Sequence, residues 1–169
     1  STQFPAVGTA DPLLRREKNG GRDAFVLRLK NQGSQIDYSG FIGGAEDDQA
    51  NSLAVDGLGR AYVTGFSSCT GGGNCSFPTV VGPNLTRAAS ADASRPSMDG
   101  FIARVKADGS SLDYAGFIGG DGYFDVGHAI AVDASGSAYV AGATDSVTGL
   151  PAAPGFRSIP SGDASDGFV

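Results

Sequence analysis

Ile36-Asp-Tyr-Ser-Gly-Phe-Ile-Gly-Gly44 returns 76 residues later as Leu112-Asp-Tyr-Ala-Gly-Phe-Ile-Gly-Gly120. The segment before it repeats at the same distance: Asp23-Ala-Phe-Val-Leu-Arg-Leu-Lys30 becomes Asp99-Gly-Phe-Ile-Ala-Arg-Val-Lys106, and the pattern starts again at Asp166-Gly-Phe-Val169. The segment after it repeats at a spacing of 77, from Leu53-Ala-Val-Asp56 with Ala61-Tyr-Val63 to Ile130-Ala-Val-Asp133 with Ala138-Tyr-Val140. One residue inserted between Gly120 and Asp125 accounts for the drift. Phe4-Pro5, Phe77-Pro78 and Leu150-Pro151 add a landmark every 73 residues. Self-similarity at a fixed period marks a repeat architecture, in which each unit buries its faces only against its neighbours.

Within a repeat the period is two. Phe25, Leu27 and Leu29 alternate with Val26, Arg28 and Lys30, and Phe101, Ala103 and Val105 with Ile102, Arg104 and Lys106, which sends one set to each face of a sheet. Asn31-Gln-Gly-Ser34 and Ala107-Asp-Gly-Ser110 supply turn residues for one hairpin, and Asp56-Gly-Leu-Gly59 and Asp133-Ala-Ser-Gly136 for another. Each repeat therefore reads as four short strands. Two long polar stretches, about residues 66–98 and 144–166, read as surface insertions. Glycine supplies 27 of the 169 residues, more than twice its roughly 7% average usage, and belongs in turns rather than helix interiors. With 40% hydrophobic residues a packed core is within reach, and the expected class is all-β.

Twelve basic residues against 18 acidic give a net charge of −6, which disfavours nucleic acid, since a phosphate backbone is bound by clustered Lys and Arg. The adjacent pair Arg15-Arg16 is followed at once by Glu17 and reads as a solvated loop. No run approaches the 18 apolar residues of a spanning helix, and the chain opens at Ser1 without a signal-like segment, so it reads as processed or excised. Cys69 and Cys75 flank Thr-Gly-Gly-Gly-Asn; a local disulfide is the favoured reading, because a metal site would want more Cys or His ligands than this chain holds. That pairing points to an oxidising compartment. The glycosylation-like triplets at Asn74 and Asn84 are too short to carry weight.

Taken together, Ile130-Ala-Val-Asp-Ala-Ser-Gly-Ser-Ala-Tyr-Val-Ala-Gly142, Leu150-Pro151, Asp166-Gly-Phe-Val169 and Tyr114-Ala-Gly-Phe-Ile-Gly-Gly120 resemble the bacterial beta-propeller repeat called SBBP. The resemblance covers nearly the whole chain apart from the variable loops. It implies blades of four antiparallel strands, with the Ala-Val-Asp strand near the axis and the Phe-Ile-Gly-Gly strand at the rim. Residues 1–44 then form the loop and outer hairpin of one blade, 51–120 a complete blade with a long insertion, and 126–169 the inner hairpin and truncated third strand of the next. About two blades are present where rings close with roughly 4–8, so the expectation is a partial propeller, cut from a longer chain or completed by further copies.

Catalytic residues are not assigned. His128, the sole histidine, replaces Asn51 of the first repeat and reads as a structural hydrogen-bonding residue, and no nucleophile-elbow pattern accompanies it. Asp48, Asp121 and Asp125 follow the Gly-Gly pairs and are candidate calcium ligands, the one cofactor admitted. The rival reading has Asp48 and Asp125 accepting backbone N–H bonds at a turn. Tyr123 and Phe124, beside the inserted position, are candidate exposed partner contacts. The expected role is a non-enzymatic binding or structural scaffold, extracellular or at the cell surface, whose partners are a protein, a glycan or further copies of itself. The alternatives are part of a propeller enzyme acting on polysaccharide or peptide, and a subunit of a surface filament.

Overall fold

The computed structural model describes residues 17–71, 75–88, 94–151 and 165–169. The Phe4-Pro5 landmark, Arg15-Arg16, Gly72, Gly73 and Asn74 lie outside them. Nine strands follow in chain order: β1 Ala24–Lys30, β2 Gln35–Ile42, β3 Asp48–Val55, β4 Ala61–Cys69, β5 Ser97–Val105, β6 Leu112–Ile118, β7 Asp125–Val132, β8 Ala138–Thr144 and β9 Asp166–Phe168. Among the described residues the only helical turn is a 3-10 turn at Asn31–Gly33, between β1 and β2. The strands form three antiparallel sheets, β1-β2, β3-β4-β5-β6 and β7-β8-β9. The molecule is all-β, in an arrangement consistent with part of a β-propeller.

The repeat extends to irregularities of pairing. The β3–β4 ladder steps over Asn51 between Ala50 and Ser52, and the β7–β8 ladder steps over His128 between Gly127 and Ala129. Asn51 and His128 are thus the same bulged residue in two repeats, both exposed, and Asn51 reaches a neighbouring sheet through its Nδ2 bond to Gly127 O at 2.9 Å. The β1–β2 and β5–β6 ladders likewise step over Asp37 and Asp113, and each bulged Asp pairs with an arginine across the hairpin: Arg28 at 3.3 Å and Arg104 at 3.0 Å.

Alternation sends Phe101, Ala103 and Val105 of β5, with Ala61 and Val63 of β4, to one face of the central sheet. These residues share a buried cluster with Ala24, Val26, Tyr38 and Ile42 of the first sheet. The opposite face, carrying Tyr62 and Thr64, meets the third sheet: Tyr62 Oη lies 3.3 Å from Gly136 O, and Ile130 N–H donates to Ser52 Oγ at 3.3 Å.

Two expectations need correction. The loop expected over residues 66–98 is shorter, because β4 runs on to Cys69 and β5 begins at Ser97. Nor is its middle a surface insertion. Phe77 is buried, with its ring centroid 5.1 Å from that of Phe101 and 5.2 Å from that of Phe117, a burial worth roughly 1.5–3 kcal/mol. The backbone beyond it runs along β6: Val80 N–H donates to Ala115 O and Ala115 N–H to Val81 O, both at 3.0 Å, and Phe117 N–H donates to Asn84 O at 2.8 Å. An edge strand leaves donors and acceptors unpaired, and this segment satisfies them while adding an aromatic ring to the core.

Candidate functional site at the sheet junctions

The Gly-Gly pairs close β2 and β6 and lead into the next sheet, and both members of each pair are needed for close approach. A Cβ at Gly43 would sit 2.8 Å from the carboxyl of Asp23, and one at Gly119 would sit 2.8 Å from that of Asp99. A Cβ at Gly44 would overlap Cys75 O, and one at Gly120 would overlap Thr148 O. Those same carbonyls bind the following residue: Ala45 N–H donates to Cys75 O at 2.6 Å, and Asp121 N–H to Thr148 O at 3.1 Å. Cys75 and Thr148 stand two residues before Phe77 and Leu150, so the 73-residue landmark is a junction lock.

The two locks are held by different chemistry. At the first, Cys75 is disulfide-bonded to Cys69, with the Cα atoms 5.7 Å apart, and Glu46 accepts from Thr70 N–H at 3.1 Å and Thr70 Oγ1 at 3.0 Å. At the second there is no cysteine. Instead the Asp121 carboxylate accepts from Val147 N–H at 3.0 Å, Thr148 N–H at 2.9 Å and Thr148 Oγ1 at 2.9 Å. These bonds, with those from the Thr148 backbone the strongest, hold its carboxyl below the usual range.

Asp48 and Asp125 open β3 and β7 and are buried. Asp48 Oδ2 accepts from Gly44 N–H at 2.6 Å, and Asp125 Oδ2 accepts from Gly120 N–H at 3.0 Å and Ser146 Oγ at 2.8 Å, while Asp125 Oδ1 accepts from Thr144 Oγ1. Desolvation dominates both: the Asp48 carboxyl is pushed up to about 6 and that of Asp125 is raised. A third buried acid, Asp99, pairs with Arg87 at 2.6 Å, and the same guanidinium nitrogen donates to Ser97 O at 2.9 Å and Ser97 Oγ at 3.1 Å. Arg87 reaches this position from the long loop, and nothing in its local sequence marks it.

The geometry therefore does not gather Asp48, Asp121 and Asp125 into one calcium shell. Asp48 stands at the first junction and Asp121 and Asp125 at the second, where Asp125 binds Gly120, Thr144 and Ser146 and Asp121 binds Val147 and Thr148 of the same loop. Among the described residues no group of three or more His, Cys, Asp or Glu side chains could hold a metal ion. Tyr123 and Phe124 are half-buried rather than exposed. Arg95 stacks 4.8 Å from the Tyr123 ring centroid, Met98 N–H donates to Tyr123 O at 2.9 Å, and Phe124 forms a parallel bridge to Met98.

Sequence reasoning missed what Asp56 and Asp133 do. Asp56 accepts from Leu58 N–H at 2.9 Å, Arg60 N–H at 3.0 Å, Arg60 Nε at 2.6 Å and Tyr62 Oη at 3.0 Å. Asp133 repeats the pattern with Ser135 N–H and Ser137 N–H, both at 2.9 Å, Ser135 Oγ at 2.6 Å and Tyr139 Oη at 3.2 Å. Each carboxylate organises its hairpin turn, where Gly59 and Gly136 take φ of 81° and 87°. Burial raises the Asp56 carboxyl, but the Arg60 bond and the other donors outweigh it and bring it to about 2; the Ser135 bond leads in bringing Asp133 to about 2. The recurring Asp-x-x-Gly-x-x-Tyr spacing was the available signal.

Sheets joined face to face through a repeated glycine lock define a repeat protein built from blade-like units. Residues 36–68 match the family model SBBP, described as a beta-propeller repeat, so the chain contains this family's repeat. The matched stretch runs from β2 through the first junction and β3 into β4. No curated protein matches the chain. Among the described residues no helix is long and apolar enough to cross a membrane.

Proposed function

We propose that this chain is a non-enzymatic β-propeller segment that acts outside the cell or at its surface as a rigid scaffold, presenting its loops to a protein or glycan. The observation that carries the reading is where the buried polar groups are used. Asp48 binds Gly44 N–H, Asp125 binds Gly120 N–H and Arg87 binds Asp99, so these groups tie loops and sheets together. A disulfide at a junction lock fits an oxidising compartment, where such a bond persists.

Two measurements test this. Cell fractionation is expected to find the protein in the culture medium or at the cell surface, with Cys69 and Cys75 bonded to each other by peptide mass mapping, and recovery from the cytoplasm alone would overturn the location. Panels of polysaccharides and peptides are expected to be bound or ignored but not cleaved. Hydrolysis that copurifies with the chain would overturn the non-enzymatic reading.

A further inference from the structure

We propose that the first junction binds one buried water molecule between Asp48 of β3, Ser67 of β4 and the carboxyl of Asp23, and that the second junction, built from the same repeat positions, binds none. The two junctions can be compared atom by atom. Asp48, Ser67 and Cys69 return 77 residues later as Asp125, Thr144 and Ser146. Asp48 pairs with Ser67 across β3 and β4 as Asp125 pairs with Thr144 across β7 and β8, and all of these residues are buried.

Their hydrogen bonding differs. At the second junction both carboxylate oxygens are used: Asp125 Oδ1 accepts from Thr144 Oγ1, and Asp125 Oδ2 accepts from Ser146 Oγ at 2.8 Å and Gly120 N–H at 3.0 Å. At the first, Gly44 N–H donates to Asp48 Oδ2 at 2.6 Å, while Asp48 Oδ1 and Ser67 Oγ complete no hydrogen bond among the described residues. Two exchanges in sequence account for this. Cys69 carries a sulfur bonded to Cys75 where Ser146 carries a hydroxyl, so Asp48 loses a donor. Ser67 lacks the methyl group of Thr144, which leaves room of the order of the ~30 Å³ that one water takes up in the liquid.

The surroundings suit water. Burial leads in raising the Asp48 carboxyl, Ser67 and Gly44 draw it back, and the Asp23 carboxylate raises it further, so Ser67 and Asp23 both stand close to Asp48. Asp23 is held in place by Asn19 N–H, which donates to its Oδ2 at 2.6 Å. A water donates one hydrogen to Asp48 Oδ1 and one to the Asp23 carboxylate, and it accepts the hydroxyl hydrogen of Ser67; about three such bonds are usual for a buried water. Calcium asks for about 6–8 oxygen ligands, and two carboxylates with one hydroxyl are too few. Positive charge is already supplied, because the Arg87 guanidinium lowers both the Asp48 and the Asp99 carboxyls against their burial. The water thus takes over at the first junction the donor role that Ser146 plays at the second.

A crystal structure of the unmodified chain, at a resolution that shows ordered solvent, tests this directly. It is expected to show one water at about 2.7–3.0 Å from Asp48 Oδ1, Ser67 Oγ and an Asp23 carboxylate oxygen, with no water touching the Asp125 carboxylate. In solution, Ser67→Thr restores both the methyl and the hydroxyl of Thr144. By nuclear magnetic relaxation dispersion of water, this variant is expected to lose one long-lived water relative to the unmodified chain, without a lower melting temperature. Ser67 Oγ bonded directly to Asp48 with no water beside them would overturn the proposal, as would a metal ion at contacts of about 2.3–2.6 Å. Waters bound alike at both junctions, or a Ser67→Thr chain that keeps every long-lived water, would overturn it equally.

Discussion

At the scale of single residues, the repeat is most exacting where a side chain is absent. Gly44 and Gly120 are required by a carbonyl that passes over them, and Gly43 and Gly119 by a carboxylate. Gly120→Ala would press its methyl into Thr148 O and within 2.8 Å of Ser146 Cβ, backbone and short side chain that cannot swing aside. The expected cost is roughly 1–3 kcal/mol or more in chemical denaturation, while Gly33→Ala, with nothing near its Cβ position, should cost only what its φ of 87° imposes. A loss at Gly120 no larger than that at Gly33 would show that close approach does not select glycine at the junction.

At the scale of elements, the loop from Cys69 to Cys75 and the loop after β8 do one job by two means. The disulfide fixes the carbonyl that Ala45 binds, and the Asp121 carboxylate fixes the carbonyl that Asp121's own N–H binds. Replacing Cys69 and Cys75 with serine removes the restraint on a short loop and is expected to cost about 2 kcal/mol. Hydrogen exchange would localise the effect: the Ala45 amide should exchange faster, while the Asp121 amide, behind the other lock, should be unchanged at matched stability. Uniform acceleration at both amides would mean that the disulfide acts on the whole chain and not on its junction.

At the scale of the whole molecule, the acids fall into two groups with opposite effects on stability. Asp56 and Asp133, held at about 2, contribute stability above the unfolded carboxylate range near 4 and lose it as pH falls towards 2. Asp48, raised to about 6, works the other way: its contribution is complete below pH 4 and is lost as pH rises through 6, because the unfolded chain ionises first. Asp125 is shifted in the same direction. The melting temperature is therefore expected to fall between pH 4 and 7. Asp48→Asn, which keeps an acceptor for Gly44 N–H, should flatten that slope and stabilise the chain at pH 7 by roughly 2–3 kcal/mol. Thermal melts across that range would settle it, and a steeper slope in the variant would contradict the assignment.

Much of this fold lies in the linear chain. Period-two alternation and turn chemistry are local, so strands such as Phe101 to Val105 and turns such as Asp133 to Gly136 are specified by neighbours in sequence, and the 76- and 77-residue offsets announce which of them are equivalent. Functions that act across the fold left weaker traces. Arg87 is buried against Asp99, Phe77 is stacked on Phe101, and Asp48 is separated from Asp121 because sheets and loops distant in sequence meet there, and no local pattern records which partner a long loop will reach. Equivalent residues also diverge in burial: Tyr62 is covered by the next sheet and Tyr139 stands open, although both occupy the same place in the repeat. The sequence by itself determined the blade unit, through periodicity and glycine; only the tertiary structure decided which faces are covered, because burial depends on what packs against a strand and not on the strand alone.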